Sequence, residues 1–219
     1  MALTLRKQET NNIITLSLMN GKLVKKPEVK YNKDGSIDKR HSNRVSGISS
    51  TVYPFNVEEV KLIIDVFDKR IKEAANDNQR QIACRNKMLF LIAVNIGLRA
   101  SDLVQLRWSY FYKDDMTFKE SYALQPKKQK KTGKFVHIFF NKTVKKAIGN
   151  YVSDYPIENL DNYLFKSRKG NNPITEKGLW KIIVDVAEDA GIEKNVGSHS
   201  LRKTWARSIY DEAKDKSEA

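Results

Sequence analysis

The stretch MLFLIAVNIGL, Met88 to Leu98, holds a single polar side chain, Asn95, in eleven residues. Spanning a bilayer takes about 20 apolar residues, so this run is too short for a membrane helix. It is also too apolar to lie on a surface, which leaves a helix buried in a protein core. Gly97 ends that helix and sets Leu98 and Arg99 in a turn. The chain must therefore cover the helix with other amphipathic elements and give the arginine at its end an anionic partner.

The flanking sequence supplies the cover. In YPFNVEEV, Asn56 is a helix cap with Glu59 three residues on, and Val60, Ile63, Ile64, Phe67 and Ile71 recur at helical spacing. The polar stretch AANDNQRQ interrupts, and a second helix runs through NKMLFLIAVNI. Ser101 caps a short third helix, SDLVQLRW, which buries Leu103 and Leu106. The period then changes. Tyr122 to Gln125 and Phe135 to Phe140 read as two strands joined by PKKQKKTGK with a turn at Gly133. Helical pattern returns from Lys142 to Val152 and from Lys177 to Ala190, and a last helix starts around Ser198. The pattern predicts an α+β fold, mostly helical with a small antiparallel sheet, in one compact domain over residues 51–219. Residues 1–50 carry ten Lys or Arg against four acidic residues and read as a basic, partly loop-like extension with a short strand at Ile13 to Leu18. That arm either touches nucleic acid or is simply solvated.

Composition narrows the function classes. Hydrophobic residues make up 40% and charged residues 30% of the 219, as in a soluble globular chain. The opening MALTLRKQETNN lacks the basic, apolar and small-residue order of a signal peptide. Cys84 is the single cysteine, which leaves no intrachain disulfide and no zinc cage and fits a reducing cytoplasm. Forty Lys and Arg against 26 Asp and Glu give +14, a bias that points to a polyanionic partner, nucleic acid ahead of membrane.

Three motifs concentrate that charge. In GLRASDL, Arg99 is either paired with Asp102 at a helix junction or free to fork onto a phosphate, with Asp102 orienting the loop. In KKQKKTGK, Lys127 to Lys134, five lysines in eight positions sit on a hairpin tip. They form either a solvated turn that blunts a sheet edge or a charged probe for a groove. In HSLRKTW, His199 and Arg202 stand three residues apart and leave a helix on one face. There an imidazole and a guanidinium address one phosphate, or else are an ordinary helix-end pair.

In chain order, GLRASDLVQLRW, the lysine hairpin and HSLRKTW resemble the catalytic domain of the tyrosine recombinase family, the phage-integrase and Xer-like enzymes. The resemblance covers roughly residues 54–212. It implies a double-stranded DNA substrate, other recombinase protomers as partners on that DNA, and no metal or other cofactor. It also implies roles. Arg99 and Arg202 clamp the scissile phosphate, His199 bonds the same phosphate, and Asp102 is the supporting acid. Lys131 protonates the departing 5′-hydroxyl, with Lys130 and Lys128 as alternatives. Lys127, Lys128, Lys130, Lys134 and Lys203 are the DNA-contact lysines. A recombinase-fold DNA-binding regulator without catalytic activity is the alternative from another class.

The resemblance stops after Arg202. The family continues to a second histidine or tryptophan and then to a nucleophilic tyrosine on a further helix. Here 219 − 202 = 17 residues follow, with no further histidine. Tyr210 lies 210 − 202 = 8 residues on, about two turns along the same helix. The spacing places Ala206 and Ile209 toward the core and makes Trp205 and Tyr210 packing residues, so the nucleophile is expected beyond this chain or nowhere.

Overall fold

The computed structural model describes residues 16–19, 22–25, 51–128, 133–168 and 170–218. The chain divides into two units, Met1–Ser50 and Thr51–Ala219. In the first, β1 (Leu16–Met19) and β2 (Lys22–Lys25) form an antiparallel ribbon in which Leu16 faces Lys25 and Met19 faces Lys22. The expected strand at Ile13 to Leu18 thus continues to Met19, while its first three residues lie outside the described ones. Its partner strand was missed, although Asn20-Gly21 between the two is a strong hairpin signal.

The second unit is mostly helical. Helix α1 (Val57–Lys72) opens with the capping box that the sequence predicts. Asn56 Oδ1 accepts from Glu59 N at 2.7 Å, and Glu59 Oε2 accepts from Asn56 N at 2.7 Å. Helix α2 (Asp77–Ile96) starts nine residues earlier than the expected Asn86. The polar stretch is its first turns, because Asn76 caps the helix through Gln79 N at 2.9 Å and the following Gln and Arg side chains suit an exposed helical surface. Helix α3 is only Ala100–Leu103, and Arg99 rather than Ser101 occupies its N-cap position. The rest of the expected third helix is a turn at 104–105 and a bridge from Arg107 to Tyr163, after which a short 3₁₀ turn forms at Trp108–Tyr110. Strands β3 (Ser121–Leu124) and β4 (Val136–Phe139) pair antiparallel, with Leu124 opposite Val136. Then follow α4 (Lys142–Asp154), α5 (Glu176–Asp189) and α6 (Ser198–Glu218).

The apolar run is central. Met88, Leu89, Phe90, Ile92 and Ala93 are all buried, with α1, α4 and α6 packed around α2. Phe90 meets Phe55 edge-on at 6.0 Å and Phe67 at 5.9 Å. A second aromatic group supports the hairpin, where Phe140 stacks on Phe111 at 4.6 Å and meets Phe118 edge-on at 5.8 Å. Among the described residues no helix is long and apolar enough to cross a membrane.

Helix α6 departs from the expectation beyond its second turn. Leu201 and Thr204 are buried, but Ala206 and Ile209 are exposed and Tyr210 is 69% exposed. The cause is geometric: α2 stops at Ile96, so the later turns of α6 have run past the element that covers the earlier ones. Trp205, half-buried, is the last α6 side chain to find that cover.

Replacing Phe90 with alanine removes the ring shared by Phe55 and Phe67. The expected loss is about 3–5 kcal/mol of unfolding free energy, measured by urea titration.

Candidate active site

Gly97 is where α2 and α6 are joined. Its φ of +61° caps α2 in the left-handed region, and its backbone is pressed so closely that a Cβ built on it would lie 2.2 Å from Trp205 Cδ2. Only glycine meets both conditions. The carbonyl of Gly97 accepts from Arg202 Nη1 at 2.9 Å, so one α6 side chain covers the turn and another holds its oxygen. The Gly-Leu-Arg turn is thereby fixed to the His199–Arg202 helix.

Arg99 follows two residues on, half-buried, with Leu98 anchored beside it at 8% exposure. Its carbonyl receives Asp102 N at 3.0 Å and Leu103 N at 2.8 Å and so starts α3. Among the described residues no hydrogen bond or ion pair engages its guanidinium. Asp102, the partner expected under the purely structural alternative, is committed elsewhere. It is 5% exposed, and its Oδ1 accepts the backbone N–H of Lys127 at 2.9 Å. A buried carboxylate thus ties the arginine turn to the foot of the β3–β4 hairpin, leaving Arg99 without its acid.

The first turn of α6 is organised by small hydroxyl side chains. Gly197 N donates to Ser200 Oγ at 3.1 Å, Thr204 Oγ1 donates to Ser200 O at 2.9 Å, and Phe55 N donates to Thr204 Oγ1 at 2.8 Å. Ser200 and Thr204 are buried, which turns the opposite face outward, with His199 exposed and Arg202 half-buried. Neither Arg202 nor Arg99 has a carboxylate partner among the described residues. The arrangement therefore offers two unneutralised guanidiniums on bonded elements, with an imidazole one turn from the second.

The lysines divide. Lys127, Lys128 and Lys134 are exposed at the hairpin. Lys130 and Lys131 lie outside the described residues. Lys203 is half-buried and donates through Nζ to Val52 O at 2.8 Å, which anchors the start of this unit to α6. Sequence reasoning missed Trp205 as the cover of the glycine turn, and Ser200 and Thr204 as the fasteners of the helix. A tryptophan one turn beyond H-x-x-R was the available signal for the first.

The model of the phage integrase family matches residues 51–218. A probable integrase/recombinase, YoeC, of Bacillus subtilis is 32% identical over 131 residues, 60% of this chain and 66% of that protein. The tyrosine recombinase XerD of Listeria innocua is 22% identical over 167 residues, 74% of this chain and 53% of that protein. The chain thus spans about half to two thirds of these relatives. Among solved structures, the XerH site-specific recombinase bound to difH substrate shares the fold with a TM-score of 0.54 at 20% identity, over 82% of this chain and 49% of that one. The Tn1549 transposon integrase in complex with transposon right end DNA gives 0.52 at 15% identity, over 82% and 61%.

Gly97→Ala is expected to lower thermal stability through two separable effects. The left-handed backbone costs about 1–2 kcal/mol, and the new methyl displaces Trp205. A double-mutant cycle with Trp205→Ala, followed by thermal unfolding, is expected to show the pair costing less than the sum of the singles.

Proposed function

Because the chain belongs to the phage integrase family of tyrosine recombinases, we propose that residues 51–219 bind duplex DNA and activate one backbone phosphate for strand cleavage and rejoining. One observation carries this reading. Arg99 and Arg202 sit on elements fastened through Gly97, and neither is neutralised by a carboxylate among the described residues. Two half-buried guanidiniums with no carboxylate beside them among the described residues keep donors for an anion, and a scissile phosphate accepts forked contacts from both.

Each residue then has a task. Arg99 and Arg202 hold the non-bridging oxygens and stabilise the charge that grows on them in the transition state. His199 hydrogen-bonds the same phosphate. Lys131 delivers a proton to the departing 5′-oxygen. Asp102 acts through position, since its bond to Lys127 N sets the hairpin root relative to Arg99. In the reaction a tyrosine oxygen attacks phosphorus, the bond to the 5′-oxygen breaks, and the phosphotyrosine is later resolved by another strand's hydroxyl. Exposed Lys127, Lys128 and Lys134 contact the DNA backbone. Lys203 is a strut to Val52 in this reading and supports DNA contact only indirectly. The setting is the cytoplasm, and other recombinase protomers share the DNA.

Tyr210 is not the attacking group in this proposal. It is 69% exposed and lies on the same helix as Arg202, two turns beyond it.

The chain is expected to bind duplex DNA with an affinity that falls steeply with salt, since each neutralised phosphate contributes a slope of about −0.9 in log K against log salt. Fluorescence anisotropy measures it, and Arg99→Ala and Arg202→Ala should each weaken binding. Incubated with a nicked suicide substrate, the chain should form no covalent adduct. An adduct mapped to Tyr210 would overturn the assignment of the nucleophile.

A further inference from the structure

A buried arginine that the proposed chemistry leaves unused is Arg85. It is 8% exposed in the middle of α2, eleven residues before Ile96, about 16 Å along the helix axis from that end. It is therefore remote from the Gly97 turn. Its Nη1 donates to Lys166 O at 2.6 Å, and Nη2 and Nε share Asn86 Oδ1 at 2.7 and 3.2 Å. These are three bonds from a group with five donors. None goes to a carboxylate, and among the described residues no ion pair includes Arg85. Burial, together with the positive charge of nearby Arg168, disfavours the protonated guanidinium, so its charge is held in place at a cost.

Arg85 lines a cleft of ≈ 290 Å³ between the first half of α2, the end of α4 and the 162–168 segment. That size is near the lower limit of small-molecule sites. Lys166 and Arg168 add two cations to the lining and Glu158 one carboxylate, so the wall carries 3 − 1 = +2. Aromatic rings complete it. Trp108 stacks on Tyr151 with centroids 5.9 Å apart, and Tyr163 lies under the guanidinium of Arg107 at 4.1 Å. Burial pushes the phenol of Tyr151 up, although a hydrogen bond with Gln81 opposes the shift.

A doubly positive wall suits a dianion, and a phosphate monoester carries about −1.5 to −2 at neutral pH. A carboxylate would leave one charge unmatched. We propose that this cleft binds a phosphate monoester such as a nucleoside monophosphate, with Arg85 and Arg168 on the phosphate and the aromatic lining beside the organic group. The site is separate from the DNA-phosphate site proposed above and does not depend on it.

Isothermal titration of the chain with AMP, and separately with inorganic phosphate, tests this. AMP is expected to bind saturably and more tightly than phosphate alone. Arg168→Ala, an exposed position that leaves the fold intact, should weaken AMP by about tenfold, the loss of one charge-assisted contact. Arg85→Gln should abolish AMP binding without altering affinity for duplex DNA. If Arg85→Gln fails to fold, the Arg168→Ala result decides. No AMP binding by the unaltered chain, AMP binding unchanged by Arg168→Ala, or AMP displaced by duplex DNA would each overturn the proposal.

Discussion

The contact of α6 with the backbone of Gly97 is the constraint on which the rest depends. One residue closes α2 in a conformation that favours glycine, gives its carbonyl to Arg202, and lies against the ring of Trp205. A methyl group there would do more than strain φ, because it would drive apart the two elements that carry the arginines. The 20-residue core helix therefore serves as the ruler of the site. Its apolar body is fixed by burial, and its last residue fixes where Arg99 starts.

Two further fasteners extend the same frame. Asp102 gives its carboxylate to a backbone N–H of the hairpin instead of to Arg99, so the acid positions the hairpin while the arginine keeps its charge unmatched. Thr204 takes the N–H of Phe55 and gives its own proton to Ser200 O, which locks the rotation of α6. Buried polar groups that find hydrogen-bond partners help to specify a single arrangement. Here they surround the charged side chains without neutralising them.

Much of this was legible in the sequence. The Asn56–Glu59 capping box, the Gly97 stop, the antiparallel hairpin and the late helix each rest on local chemistry, and local chemistry is what a single sequence reports. The family followed from GLRASDL and HSLRKTW. What escaped was tertiary. The outward face of Ala206 and Ile209 depends on where α2 ends, a fact held more than a hundred residues away. The anchoring of Lys203 to Val52 O depends on a carbonyl 151 residues distant. The start of α2 was hidden because Asn76, Gln79 and Arg80 suit a loop and an exposed helix equally well, and only the cap decides between them.

The central claim is that Arg99 and Arg202 together form a phosphate clamp. Side-chain NMR of the arginine Nε–Hε groups during titration with duplex DNA tests it most directly, with the two resonances assigned from Arg99→Lys and Arg202→Lys spectra. The account predicts that both resonances shift together and slow their exchange with water on the same binding curve. Shifts confined to other arginines, while Arg99 and Arg202 remain at their free positions in saturated complex, would contradict it.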